Sequence, residues 1–298
     1  VTDAASSDYE LTITSLAADG EVGEPLTLAF GIVDEPFNPV SQPIALNDTT
    51  GTNVIRLKLL ASMPTDDDPR GVFQSRRLRI NCMIPGFDND IYVCMESLGV
   101  IRRVDMETGN YTNWFDVYAA IETATDGERE LDNLATFPHS GLRGMAFHDD
   151  FLANGLFYTS YLETHPENAT DLPYVGPLVE DAASDSVVAE WRYDADSGEV
   201  DAMSYRPLFR IAMPAFPDED VPYENAIKQI AMHEGDLYVS VADGAIETVD
   251  LFGGRANNAL GKVLRITPDG VGAYNYSIPA DNPFVGDDRY PDEAYAVG

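Results

Sequence analysis

Asp88-Asn89-Asp90-Ile91-Tyr92-Val93, Ala153-Asn154-Gly155-Leu156-Phe157-Tyr158 and Glu234-Gly235-Asp236-Leu237-Tyr238-Val239 are copies of one unit, a tight polar turn followed at once by an apolar, aromatic-bearing strand. Asn, Asp and Gly accept the backbone angles of a hairpin turn, and aromatic and β-branched side chains suit the pleated strand that follows. A second unit, running from strand into turn, follows each copy: Ile101-Arg102-Arg103-Val104-Asp105 leading to Gly109, Trp191-Arg192-Tyr193-Asp194 leading to Gly198, and Leu264-Arg265-Ile266 leading to Gly270. The copies lie further apart than a compact four-stranded blade requires, so each predicted sheet carries a long loop or insertion. Strands of this kind bury their apolar faces by stacking radially on one another, which predicts an all-β fold: a partial β-propeller of about three blades. The one helical pattern is short, at Val117–Thr123.

Upstream of the repeats, Tyr9–Thr14, Leu26–Val33 and Val54–Leu60 read as strands separated by Gly, Pro, Asn and Asp. Met63–Gly71, with two prolines and three consecutive aspartates, interrupts them and marks a junction. The predicted organisation is therefore a β-rich region of unrecognised type over 1–70 and the propeller over 71–298.

The formal charge of -33, from 51 acidic against 18 basic residues, opposes binding to nucleic acid or anionic membranes and favours diffusely held cations. The acids are spread along the chain rather than gathered in a tail. No apolar run reaches the ~20 residues of a membrane-spanning helix. Asn-x-Ser/Thr sequons begin at Asn47, Asn110, Asn168 and Asn275, and each is a glycosylation acceptor only in a secretory setting, so a secreted, extracellular location is expected. Cys82 and Cys94 flank the turn-rich stretch Pro85–Asp90. A disulfide between them is expected; the alternative is two buried free thiols on neighbouring strands.

Two longer segments are more specific: Ser140-Gly141-Leu142-Arg143-Gly144-Met145-Ala146-Phe147-His148-Asp149-Asp150-Phe151, and Leu260-Gly261-Lys262-Val263-Leu264-Arg265-Ile266 followed by Tyr276-Ser277-Ile278-Pro279-Ala280-Asp281-Asn282-Pro283-Phe284. Together they resemble the glucose/sorbosone dehydrogenase family, which includes soluble sugar dehydrogenases dependent on pyrroloquinoline quinone (PQQ) and shares its fold with hedgehog-interacting-type extracellular proteins. The likeness runs from about residue 76 to 298 and implies a six-bladed propeller of which this chain holds the N-terminal half. In the enzymes a catalytic His opens a His-Asn-Gly-Gly-Arg segment ahead of the Gly-x-Leu-Tyr-Val turn and strand. Glu224, Asn225, Ala226, Ile227 and Lys228 stand at those places here. The Asn is kept and the His is not, and an ordinary carboxylate is a base weaker than imidazole by about two pKa units. The resemblance also puts His139 near a position lining the cofactor pocket, and implies that His148 shapes its turn. His165 and His233 stand in turn contexts.

Asp194-Ala195-Asp196-Ser197-Gly198 is superficially like a calcium loop, but its Gly comes one place early and no closing Glu follows. A hairpin with a solvated acidic tip is expected there. The chain ends in Pro291–Gly298, which resembles the point just before a family segment whose residues help hold the quinone. The remaining blades, most cofactor contacts and the calcium site of the family are therefore expected on further sequence or on another extracellular chain. Two functions remain in view. One is a secreted, non-catalytic propeller with a structural, adhesive, or glycan- or cation-binding role. The other is a quinone-dependent aldose dehydrogenase using PQQ and calcium, for which fold alone is no warrant.

Overall fold

A computed structural model describes residues 80–131 apart from 88 and 97, then 141–165, 174–176, 182–214, 227–243, 257–270 and 275–297, with Ala61 and the backbone of short strands upstream. The chain divides into two compact units, Val1–Ser62 and Met63–Gly298. In the first, β1 (Asp8–Ile13) pairs antiparallel with β2 (Leu26–Gly31), and β3 (Ile44–Ala45) with β4 (Arg56–Leu57).

The second unit holds three four-stranded antiparallel sheets among the described residues, each laid down in chain order. The first contains β5 (Ile80–Pro85), β6 (Asp90–Met95), β7 (Val100–Asp105) and β8 (Tyr111–Asp116). The second contains β9 (Leu142–Phe147), β10 (Leu156–Thr164), β11 (Ala182–Asp194) and β12 (Glu199–Pro214). The third contains β13 (Ile227–His233), β14 (Asp236–Val241), β15 (Lys262–Ile266) and β16 (Ala294–Val297). Between the first two sheets lies α1 (Val117–Ala124), started by Asp116, whose carboxylate caps the amide of Ala119; α2 (Phe151–Asn154) is a single turn ahead of β10.

The repeat turns at Asn89, Gly109, Gly198 and Gly235 are hairpins of these sheets, while Gly155 follows α2 and Gly270 lies in the connection from β15 to β16. At Gly155 the backbone is left-handed, and a Cβ would collide with the carbonyl oxygen of Tyr193, so only glycine fits between α2 and β10.

Successive side chains of a strand point to opposite faces, and the second sheet uses both. Phe157, Tyr161, Val187 and Trp191 pack toward the first sheet with Cys94, Phe115 and Ile121. Tyr158, Leu162, Val188 and Phe209 pack toward the third with Ile230, Leu237, Val239 and Leu264. The leading strands β5, β9 and β13 pack side by side: Asn81 donates its amide to the carbonyl of Leu142 at 3.2 Å, and Gly144 faces Ile230. Three blades around a common edge of leading strands make a partial β-propeller, as the repeats imply.

Cys82 and Cys94 are directly opposed on β5 and β6 and form a disulfide, with Cα atoms 5.1 Å apart. The loop it closes is short, at a separation of 12 residues, so the Cys82→Ala, Cys94→Ala double variant is expected to lose only about 2–3 kcal/mol in urea unfolding while keeping its fold. Two titratable thiols in the unreduced protein would contradict the bond.

Candidate functional site

The register of the second sheet defines one end of the fan. Tyr161 pairs with Leu142, Glu163 with Asp185, and Ala182 with Pro214. At this end β9 starts, β10 finishes, β11 starts and β12 finishes, so the chain segments leading into β9, joining β10 to β11 and leaving β12 all attach here. Ile227, which opens β13, donates its amide to the Ser186 hydroxyl at 3.3 Å, which brings the start of the third sheet to the same end.

Three of the residues singled out from the sequence, His139, Glu224 and Asn225, belong to these segments and lie outside the described residues. Lys228 is described. It is the extra residue of a β-bulge, between the pairs Ile227–Val241 and Gln229–Ser240, a device that re-aims a side chain at a sheet's rim; it is half-buried.

What the structure adds is a polar cluster at this end, built on the face of the second sheet that looks toward the first. Glu163, fully buried, accepts from Nε of Arg210 at 2.7 Å, and Nη1 of Arg129 stands 3.6 Å away. Nη2 of Arg210 reaches the Tyr205 hydroxyl at 3.4 Å, which shares a 2.7 Å hydrogen bond with that of Tyr161. Beside them Asp185, also fully buried, accepts at one carboxylate oxygen from Nδ1 of His165 (2.7 Å) and at the other from the Tyr174 hydroxyl (2.5 Å). Main-chain bonds brace the cluster: the amide of Thr164 donates to Glu130 and that of Val175 to Arg210.

Burial pushes the Glu163 carboxyl up, against the pull of Arg210 and Arg129. Burial also works against the charge of Arg210, but Glu163 outweighs it and holds the guanidinium above its ordinary range. Burial, with Glu163 next, raises the Tyr205 phenol to about 12. One Glu163 oxygen and one terminal nitrogen each of Arg210 and Arg129 are buried with no hydrogen-bond partner among the described residues. Such incompletely satisfied charge contributes little to stability and is a common mark of functional sites.

The remaining sequence candidates are more local. Nδ1 of His148 accepts the amide of Asp150 at 3.0 Å and so shapes its own turn. His233 is exposed at the β13–β14 hairpin. Asp194 caps the amide of Asp196 at the tip of the β11–β12 hairpin, as expected of a solvated turn. Asn110 is exposed, whereas Asn275 is half-buried, with its side-chain amide directed at the Pro207 carbonyl; Asn47 and Asn168 lie outside the described residues. Among the described residues no His/Cys/Asp/Glu group forms a metal site.

Lys262, at the start of β15, is a buried cation without a carboxylate partner among the described residues. Its ammonium donates to the Leu260 carbonyl at 2.9 Å and to Asn258 at 3.5 Å, and burial lowers its pKa from 10.5 to about 8. Between these values the unfolded chain binds more protons than the folded one, so this group's contribution to stability rises with pH across that window. Lys262→Met is accordingly expected to be more stable than the wild type at pH 7, by up to about 3 kcal/mol, with the advantage vanishing above roughly pH 10.5. Urea unfolding of both proteins from pH 7 to 11 checks this; a difference that stays constant with pH would refute it.

Comparison with known proteins places the molecule. The sequence pattern of the glucose/sorbosone dehydrogenase family matches residues 119–298. The quinoprotein glucose dehydrogenase B of Acinetobacter calcoaceticus is 25% identical over 238 residues, covering 75% of this chain and 43% of that protein. Among solved structures, the PQQ-bound aldose sugar dehydrogenase of Streptomyces coelicolor is 18% identical with a TM-score of 0.45, covering 72% of this chain and 50% of its own. The apo-form soluble aldose sugar dehydrogenase of Escherichia coli is 16% identical with a TM-score of 0.41 and the same coverages, 72% and 50%. The chain thus spans half or less of the length of these relatives.

Proposed function

The chain belongs to the glucose/sorbosone dehydrogenase family, and from that premise we propose that it is part of an extracellular propeller that binds a neutral polyhydroxylated ligand, carbohydrate above all, without oxidising it. The observation that carries this reading is electrostatic. PQQ is a tricarboxylate and needs basic groups around it. The segments attached to the site end, 132–140, 166–181 and 215–226, contain nine acidic residues and not one Lys or Arg, with Glu224 where the enzymes place their base. Of the described cations at this end, Arg129 and Arg210 face Glu163, Arg143 faces Glu96, Lys262 donates to the Leu260 carbonyl, and Lys228 stands at the β13 bulge. Acidic and phenolic groups suit sugar hydroxyls better than they suit a tricarboxylate. The sequons and the acidic surface favour the extracellular setting. Ring closure takes at least about four blades, so the partner proposed for the three seen is further propeller sheet, from this polypeptide or another chain.

The competing reading, quinone-dependent aldose oxidation, draws on what the Acinetobacter relative is named for. One experiment separates the two: addition of PQQ with calcium, followed by absorbance after desalting and by aldose-dependent dye reduction, beside calorimetric titration with neutral oligosaccharides. Saturable sugar binding with no retained quinone and no dye reduction is expected. Retained quinone with turnover would overturn the proposal.

A further inference from the structure

His165 is held in a way that a structural histidine does not need. An ionised carboxylate only accepts hydrogen bonds, so Asp185, which already takes the Tyr174 hydroxyl at one oxygen, requires the proton of His165 to sit on Nδ1. In the neutral ring Nε2 is then left with its lone pair, its tautomer fixed by the partner on the far side. Nε2 has no hydrogen-bond partner among the described residues, and the side chain is 19% exposed while Asp185 is fully buried. The ring is thus held at Nδ1 while its side chain keeps some exposure, at the site end of the second sheet. The charges packed beside it, Arg210 and Arg129 against Glu163 and Asp185, balance one another, so the ligand need not bring a charge.

We propose that His165, oriented by Asp185, is the residue that meets the ligand, with Nε2 accepting a hydrogen bond from a hydroxyl group. This rests on the carbohydrate-binding reading above and narrows it. A lone pair selects a hydroxyl that can donate. It rejects a carboxylate, which has no hydrogen to give. Neutral sugars are the ligand class, and uronic acids are excluded.

The test uses His165→Asn, whose amide nitrogen replaces Nδ1 toward Asp185 while nothing replaces Nε2. Neutral oligosaccharides and their uronic-acid counterparts are titrated calorimetrically into wild type and variant, and histidine carbethoxylation is mapped by mass spectrometry with and without sugar. Expected are an unchanged denaturation midpoint, neutral-sugar affinity about tenfold weaker in the variant, no uronate binding, and protection of His165 by bound sugar. Sugar binding unaffected by the variant, or bound sugar that leaves His165 fully reactive, would overturn the proposal and leave the carbohydrate reading standing. A wild-type protein that binds none of the neutral sugars would overturn both.

Discussion

Glu163→Ala is expected to cost about 3–5 kcal/mol of folding stability, because it leaves buried guanidinium charge without a partner. Arg210 has almost no exposed surface and loses a 2.7 Å charge-assisted bond, while Arg129 loses the carboxylate 3.6 Å from its terminal nitrogen. The same principle makes a second variant informative: Glu163→Met combined with Arg210→Met removes the fully buried pair and leaves only Arg129, 14% exposed, without its carboxylate, so it should be clearly more stable than the single variant. Urea unfolding followed by circular dichroism measures both. If the single variant were as stable as the double, the pair would not be buried as described.

Trp191→Ala is the other large effect, expected at about 3–5 kcal/mol from the cavity it leaves. The indole is fully buried between the first two sheets, edge-on to Phe115 at 4.9 Å and tilted against Tyr205 at 5.0 Å. Its N–H donates to the Thr159 hydroxyl at 2.8 Å, so truncation also strands a buried polar group. Trp191→Phe keeps most of the ring and should cost about half as much or less. Trp114, the remaining tryptophan of two, reports the transition by fluorescence in both variants. A Trp191→Ala protein unfolding within about 1 kcal/mol of wild type would show that the interface repacks without strain.

The blades are legible in the sequence because their turns are made of residues suited to particular backbone angles. Asn89, Gly155, Glu234 and Gly235 all take positive φ, and each turn is followed by an apolar strand. The pairing of Cys82 with Cys94 is readable for the same reason, since a turn between them fixes the register. The polar cluster is not legible. Its members come from β10, the connection that follows it, β11, β12 and the stretch after α1, and the Arg210–Glu163 bond spans 47 residues. Glu163 and Asp185 stand near strand ends, where a charged side chain reads as solvent-facing although period two puts it on the face of Phe157 and Tyr161 or of Val187 and Trp191. His165 reads as a loop residue until Asp185 is seen behind it. Lys228 is flagged only through the family motif, because a bulge leaves no pattern in a strand this short.

A strand with one wet face carries its own alignment marks, since a shift of one residue turns its polar side chains into the core. The second sheet lacks that safeguard along much of β10 and β11, where both faces are dry. Phe157 and Tyr158 bury opposite sides of the sheet, one in each core, so hydrophobicity alone would score a slipped pairing almost as well as the true one. The Glu163 cluster breaks that degeneracy. In the observed register Glu163 stands opposite Asp185 and Val187 opposite Arg210, which sets the carboxylate against its guanidinium. Sliding β10 by one residue would swing Glu163 to the other face, among Val188, Leu208 and Phe209, with no cation to meet it. An ion pair that contributes little net stability thus acts as an index mark for the alignment of the central blade.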